Sequence, residues 1–311
     1  MNQSIVKVSA LSHRYAIQWA VRDVNFEINQ KGVYGLLGAN GSGKSTIMNI
    51  MCGVIKQSRG EVFIHGISVN NEPVKAKKHL GFLPQQLPLH LDLTVKEYLT
   101  HAANMRLMDY SAVPEAVNIV MDRCGISHFS NRLIRNLSGG YKQRVGIAQA
   151  IVHKPEFIVL DEPTNGLDPN QIIEVRNLIK EIGQEHTVLL STHILQEVQA
   201  TCDNIWMLNE GSQVFSGTVE EFDNYIKPNL LIVKLMNPPS HEKLREISGV
   251  EKVEEVSLNT FKIYFSDSNE ATEQIIKASV ANEWRLNEIR VEKTSMDSVF
   301  AELSKNSNSK K

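Results

Sequence analysis

The sequence predicts an α/β fold with a mainly parallel sheet, an antiparallel β layer and a helical insert, followed by a small α+β domain. Three observations predict it. Gly32 to Leu37 (GVYGLL) reads as a buried strand that opens into the glycine-rich stretch Gly38-Ala39-Asn40-Gly41-Ser42-Gly43-Lys44-Ser45-Thr46 and then an apolar helix, TIMNIMC. Phe157-Ile158-Val159-Leu160 is a continuous apolar run, the mark of a central parallel strand covered on both faces. Between and beyond these runs, strands alternate with helices as far as about Phe215, the pattern of a parallel sheet with crossover helices.

In chain order, Ile5 to Leu11 (IVKVSAL) and Val21 to Ile28 alternate apolar and polar residues, so the two are expected to form an antiparallel layer with Tyr15 between them. Glu61 to Ile64 is a short strand closed by the turn His65-Gly66, and Leu80 to Leu83 another, ended by Pro84. Thr94-Val95-Lys96-Glu97 is a capping box that starts a helix to about Met105, and Pro114 opens a second helix to about Cys124. Leu137-Ser138-Gly139-Gly140 begins a third, with Ser138 as the expected N-cap, so that residues 93–152 read as a helical subdomain inserted in the α/β core. Asp168-Pro169 caps and opens the helix to about Ile182; Thr187 to Leu190 is the next buried strand, Ile194 to Thr201 a helix, and Ile205 to Leu208 and Gln213 to Phe215 finish the sheet.

Composition shifts at Lys227-Pro228-Asn229, which places a first domain at 1–227 and a second at 228–303. The second reads strand (Leu230 to Leu235), helix (Glu242 to Ile247), strand (Val250 to Val256), strand (Thr260 to Phe265), helix (Glu270 to Ala281), strand (Leu286 to Val291), the order of a ferredoxin-like domain. A short helix over Met296 to Leu303 and a polar tail, 304–311, complete the chain.

The 311 residues carry 42% hydrophobic and 22% charged residues, ordinary for a soluble globular protein. A net charge of −2 argues against a general nucleic-acid binder. Cys52, Cys124 and Cys202 have no metal-ligand spacing and read as reduced thiols of a cytosolic protein. No signal peptide is expected, and no segment approaches the ~20 apolar residues of a membrane helix, so work at a membrane requires another chain.

The glycine-rich stretch fits the pattern Gly, four residues, Gly-Lys-Ser/Thr, in the strand–loop–helix setting that pattern needs. Its glycines let backbone amides converge on phosphate oxygens, and the helix start adds partial positive charge. Lys44 reaches the β- and γ-phosphates and the Ser45 hydroxyl can ligate Mg²⁺. The chain is therefore expected to bind a nucleoside triphosphate. Asp161-Glu162 follow the Phe157 strand and put two carboxylates at its C-terminal end, where α/β sheets hold ligands. Asp161 is expected to hold Mg²⁺ through water, and Glu162 to polarise the water that attacks the γ-phosphate. Ser138-Gly139-Gly140 form a second anion site of the same kind, which makes most sense against the nucleotide of another copy across a two-fold interface.

With these motifs in order, the chain resembles the nucleotide-binding subunits of ATP-binding cassette transporters over residues 1–227, the P-loop NTPase cassette. The resemblance implies further roles. Tyr15 stands where that family stacks an aromatic ring on adenine. Gln85, in FLPQQ, matches the glutamine that joins Mg²⁺ and couples to the membrane subunit. Asp168, in Gly166-Leu167-Asp168, matches the loop that signals across the dimer, and His193 matches the histidine that contacts the γ-phosphate. The family signature usually reads LSGGQ, whereas Tyr141 follows Gly140 here, which puts the geometry of dimer closure in question. The resemblance implies an ATP-hydrolysing motor subunit of an exporter, with ATP and Mg²⁺ as cofactors, a homodimer of this chain, and a separate integral membrane permease that holds it peripherally on the cytoplasmic face of the cell membrane. LSGGYKQRVG and the stretch from Arg176 to Gly211 resemble ABC-2 exporter subunits, in particular gliding-motility-associated ATP-binding subunits. The alternative is a soluble cassette ATPase with a non-transport role. DNA-end ATPases carry a long coiled coil between Gln85 and Leu137, and translation factors of the superfamily need two cassettes; this chain has a compact insert and one cassette.

Overall fold

The computed structural model describes residues 4–225, 230–265, 268–292 and Leu303. The expected linker Lys227 to Asn229, the tail, and all but the last residue of the helix expected over Met296 to Leu303 lie outside the described residues. The chain divides into two compact units between Val219 and Glu220.

The first unit opens with β1 (Val6–Tyr15) and β2 (Gln18–Ile28), paired antiparallel from Val6↔Ile28 to Tyr15↔Gln18. β1 is longer than its alternation suggests, so Tyr15 ends a strand instead of lying in a connection. Register shifts around Leu11 and His13 rotate the side chains out of period two, which hides the rest of the strand from a pattern reading. β3 (Gly32–Leu37) leads into α1 (Lys44–Met51), whose Ile47, Met48, Ile50 and Met51 are buried in the main core. β4 (Arg59–Ile64) and β5 (Ile67–Ser68) form a hairpin about His65-Gly66 and complete an antiparallel sheet of order β2-β1-β4-β5. α2 (Pro73–Lys78), not expected from the sequence, starts on a proline and leads to β6 (Leu80–Leu83).

The insert is helical as expected: α3 (Val95–Met105), α4 (Val113–Arg123) and α5 (Gly139–Ile151). The capping box forms in full. Glu97 N donates to Thr94 Oγ1 at 3.2 Å and Thr94 N donates to Glu97 Oε2 at 2.8 Å. Ser138 differs from expectation. It sits at the N-cap of α5, but its hydroxyl accepts no capping hydrogen bond; Lys142 N closes the first turn on the Ser138 carbonyl, and an exposed hydroxyl has water as a competing partner.

β7 (Phe157–Asp161), α6 (Pro169–Glu185), β8 (Thr187–Thr192), α7 (Leu195–Thr201), β9 (Asn204–Asn209), β10 (Ser212–Thr218) and the short α8 (Val219–Asp223) follow. The second sheet has the order β10-β9-β3-β8-β7-β6, parallel except for the β9–β10 hairpin. β7 is buried at all five positions and β8 at all six, which explains their unbroken apolar runs. The register Leu37↔Thr192 and Asp161↔Ser191 brings the loops after β3, β8 and β7 to one edge of the sheet.

The second unit comprises β11 (Leu230–Leu235), α9 (His241–Arg245), β12 (Val250–Ser257), β13 (Thr260–Phe265), α10 (Ser268–Ala281) and β14 (Leu286–Glu292). Its sheet is antiparallel in the order β12-β13-β11-β14, which is the ferredoxin-like arrangement. Phe261, Ile263 and Phe265 are buried and alternate with half-buried residues, and with Val233, Ile275 and Trp284 they form the core of this unit.

Candidate functional site

The glycine-rich loop leaves β3 at the middle of the parallel sheet and delivers the chain to α1. Gly43, at φ 104°, is in a backbone region that L-residues avoid, and a Cβ there would stand 2.6 Å from the Ala20 carbonyl oxygen. Lys44 folds back over the loop, and its Nζ donates to the carbonyls of Gly38 at 2.8 Å and Ala39 at 3.0 Å. Burial lowers its pKa, while the carboxylates of Glu162 and Asp161 act in the opposite sense. The buried hydroxyl of Ser42 has no hydrogen-bond partner among the described residues.

Beside this loop lies a cavity of about 950 Å³, lined by Asn40, Gly41, Gly43, Lys44, Ser45 and Thr46 from the loop, Tyr15 from β1, Gln85, Glu162 and His193. Glu162 is its hub. Gln85 Nε2 donates to Glu162 Oε2 at 2.9 Å, Asn165 Nδ2 to the same oxygen at 3.2 Å, and His193 Nδ1 lies 3.2 Å from Oε1. Glu162 has φ 49°, uncommon for a residue with a side chain. Its amide donates to Ser191 Oγ at 3.0 Å, and its carbonyl accepts from Asn165 N at 3.1 Å, so the neighbours hold the turn in place. Asp161, 4% exposed, lies below and accepts a hydrogen bond from the Ser191 hydroxyl. Ser45, Gln85 and Asp161 offer oxygen donors of the kind Mg²⁺ takes together with phosphate and water.

Four residues expected to act on another copy's nucleotide or across the dimer lie away from this cavity in a single chain. Ser138, Gly139 and Gly140 open α5, and Asp168 caps α6 by accepting from Gln171 N at 2.9 Å; none lines the cavity. Tyr141, the departure from the signature, packs edge-on against Phe129 with ring centroids 4.6 Å apart, under the Arg144 guanidinium.

Three participants were not read from the sequence. Asn165 is a turn residue whose amide bonds Glu162. Trp19 lines the cavity near Tyr15, with the guanidiniums of Arg14 and Arg59 at 5.8 and 5.7 Å from its ring. Glu197, 3% exposed, accepts from the hydroxyls of Thr164 and Thr192 and lies 3.6 Å from Arg176 Nη2. It therefore ties the loops after β7 and β8 to α6. A signal for it exists: an acid shares the inward face of α7 with Leu195, Val198 and Thr201.

A strand–loop–helix phosphate cradle, with a strand-end acid pair and a histidine on the adjacent loop, defines a P-loop ATPase. The model of the ABC transporter family matches residues 21–165. The bacitracin transport ATP-binding protein of Bacillus licheniformis is 35% identical over 211 residues, 67% of this chain and 68% of that protein. The linearmycin resistance ATP-binding protein of Bacillus subtilis is 26% identical over 306 residues, 96% of this chain and 98% of that one. Among solved structures, CbiO1 of Clostridium perfringens, part of an ABC transporter complex, superposes with a TM-score of 0.65 at 29% identity, covering 70% of this chain and 90% of its own. The chain belongs to the ABC transporter family, as an ATP-binding, ATP-hydrolysing subunit.

Proposed function

We propose that two copies of this chain close on two ATP·Mg²⁺ and, by closing and reopening, drive a separate membrane permease in export. The observation that carries this reading is the separation of the two glycine-rich helix starts. The phosphate loop shares a cavity with Glu162, Gln85 and His193, while Ser138 and Gly139 are exposed and away from it. A two-fold pairing lets each chain's Ser138-Gly140 meet the nucleotide on its partner's phosphate loop, with Asp168 near the same interface. Each ATP then contacts two chains and favours the closed pair over the open one.

Within one site, the amides of 38–46 and Lys44 hold the phosphates, and Tyr15 stacks on the adenine. Ser45, Gln85 and, through water, Asp161 would hold magnesium, which when bound would offset phosphate charge. Glu162 polarises the attacking water, and His193, 3.2 Å from that carboxylate, contacts the γ-phosphate.

The exporter reading draws on relatives named for bacitracin transport and linearmycin resistance; the gliding-motility assignment rests only on the signature and the Arg176 to Gly211 stretch. No helix among the described residues is long and apolar enough to cross a membrane. In this reading the permease holds the chain peripherally at the cytoplasmic face. The cassette occupies 1–227, and the accessory domain, 228–303, serves regulation or partner binding, or stabilises the cassette edge or the dimer.

The test uses Glu162→Gln. Analytical ultracentrifugation with saturating ATP·Mg²⁺ should give a dimer, and gentle membrane solubilisation of tagged wild type should recover a multi-spanning protein in near-equal amount. A variant that stays monomeric, or one that hydrolyses ATP at the wild-type rate, sinks the mechanism; recovery only from soluble fractions sinks the transporter coupling.

A further inference from the structure

The nucleotide cavity uses the C-terminal ends of the parallel strands. At the N-terminal ends of β6 and β7 lies a second cluster with ligand chemistry, which the ATPase reading does not use. His79 immediately precedes β6, Glu156 immediately precedes β7, and His65 stands in the β4–β5 turn. One ligand atom from each of the three lies within 4.8 Å of the others. His79 Nδ1 is 3.0 Å from Glu156 Oε2, and the rings of His65 and His79 have centroids 5.3 Å apart.

We infer that His65, His79 and Glu156 form a transition-metal site, of Zn²⁺ preference, that clips the antiparallel sheet to the parallel one. Two imidazoles and a carboxylate are a ligand set that Zn²⁺ accepts, with water in a fourth position. Tetrahedral Zn²⁺ with bonds near 2.0–2.1 Å sets its ligand atoms about 3.4 Å apart. The His79–Glu156 pair, at 3.0 Å, is close to that spacing, and since no two of the three ligand atoms are more than 4.8 Å apart, closure needs at most about 1.4 Å, within reach of a side-chain rotation.

The backbone holds the three positions. His65 N donates to Ile5 O at 2.9 Å, Phe157 N to His79 O at 3.0 Å, and Thr187 N to Glu156 O at 3.0 Å. The exposed Glu156 leaves the fourth position open to solvent. The metal's role here is mechanical. The His65–His79 ring contact, 5.3 Å between centroids, already spans the two sheets at this edge, and the metal would fix it.

The experiment uses metal-stripped, nucleotide-free, full-length protein with Zn²⁺ as the probe. Titration calorimetry should find one equivalent more of bound Zn²⁺ in the wild type than in a His65→Asn/His79→Gln variant. At Zn²⁺ well above its Kd, the Tm should rise by about 5 °C, and EDTA should reverse it. Glu156→Gln, an exposed change that leaves folding intact, should weaken Zn²⁺ binding at least about tenfold. ATP turnover with Mg²⁺ should not change in either variant. Equal stoichiometry, affinity and Tm response in wild type and Glu156→Gln overturns the site and leaves the pair as an ordinary surface hydrogen bond. Because the readout is Zn²⁺ binding, its failure says nothing against the ATPase.

Discussion

The chain has two glycine-rich helix starts, and their surroundings differ in ways their sequences do not show. At the phosphate loop, a Cβ on Gly38 would fall 2.4 Å from Ser42 Oγ, and one on Gly43 would meet the Ala20 carbonyl, so the glycines are demanded by close backbone packing. At α5, a Cβ on Gly139 meets open space, and Gly140 is pressed only by the flexible Gln171 side chain. At the first site, Lys44, Glu162, Gln85 and His193 converge on one cavity within a single chain. The second presents exposed residues to whatever comes from outside. Similar local sequence therefore stands in two different environments.

Substitutions can break or sharpen this contrast. The largest effect is expected for Glu162→Gln, which should lower ATP turnover about 10²–10⁴-fold while ATP affinity stays near wild type, measured by steady-state assay and by nucleotide titration. Next comes Gly43→Ala, which forces a side chain into a left-handed backbone and against Ala20, and should destabilise the first unit by about 3 kcal/mol in urea unfolding. A wild-type midpoint there would show that the loop is not held as described. Glu197→Ala should lower stability by about 2 kcal/mol, discounted because Arg176 is partly solvated, and turnover should fall with it as the loops bearing Glu162 and His193 lose their tie. Tyr15→Ala should weaken ATP binding about tenfold, the scale of losing one stacked base; an equal loss in Trp19→Ala with none in Tyr15→Ala would move the stacking role to Trp19. The smallest effect on stability is expected for Gly139→Ala, within about 0.5 kcal/mol by urea unfolding. If turnover nonetheless falls at unchanged ATP affinity, the α5 start acts on another copy.

Much of the architecture was legible because the signals were local. The alternation of Thr260 to Phe265 set its buried face, Thr94 and Glu97 announced their capping box, and the strand order of the second unit followed from its βαββαβ succession. Reading failed where geometry departs from periodicity. The bulges of β1 hid its last residues, so Tyr15 was placed in a connection, and α2 was too short to show a repeat. Ser138 has the composition of a cap without making one, because an exposed hydroxyl can bond water instead.

By itself the sequence determined the phosphate loop, the acid pair after β7 and the histidine after β8, since each motif is a short run whose backbone and charge demands only a few residue types meet. Only the tertiary structure decided what surrounds them. Asn165 reaches Glu162 across a turn only once the loop is folded, Glu197 bonds Thr164 from 33 residues away, and Trp19 comes from a strand of the other sheet. Likewise His65, His79 and Glu156 come from three separate segments, and no spacing in the sequence places them together. A motif is written along the chain, whereas a site is assembled across it, and register between strands is set by the packing of the whole core.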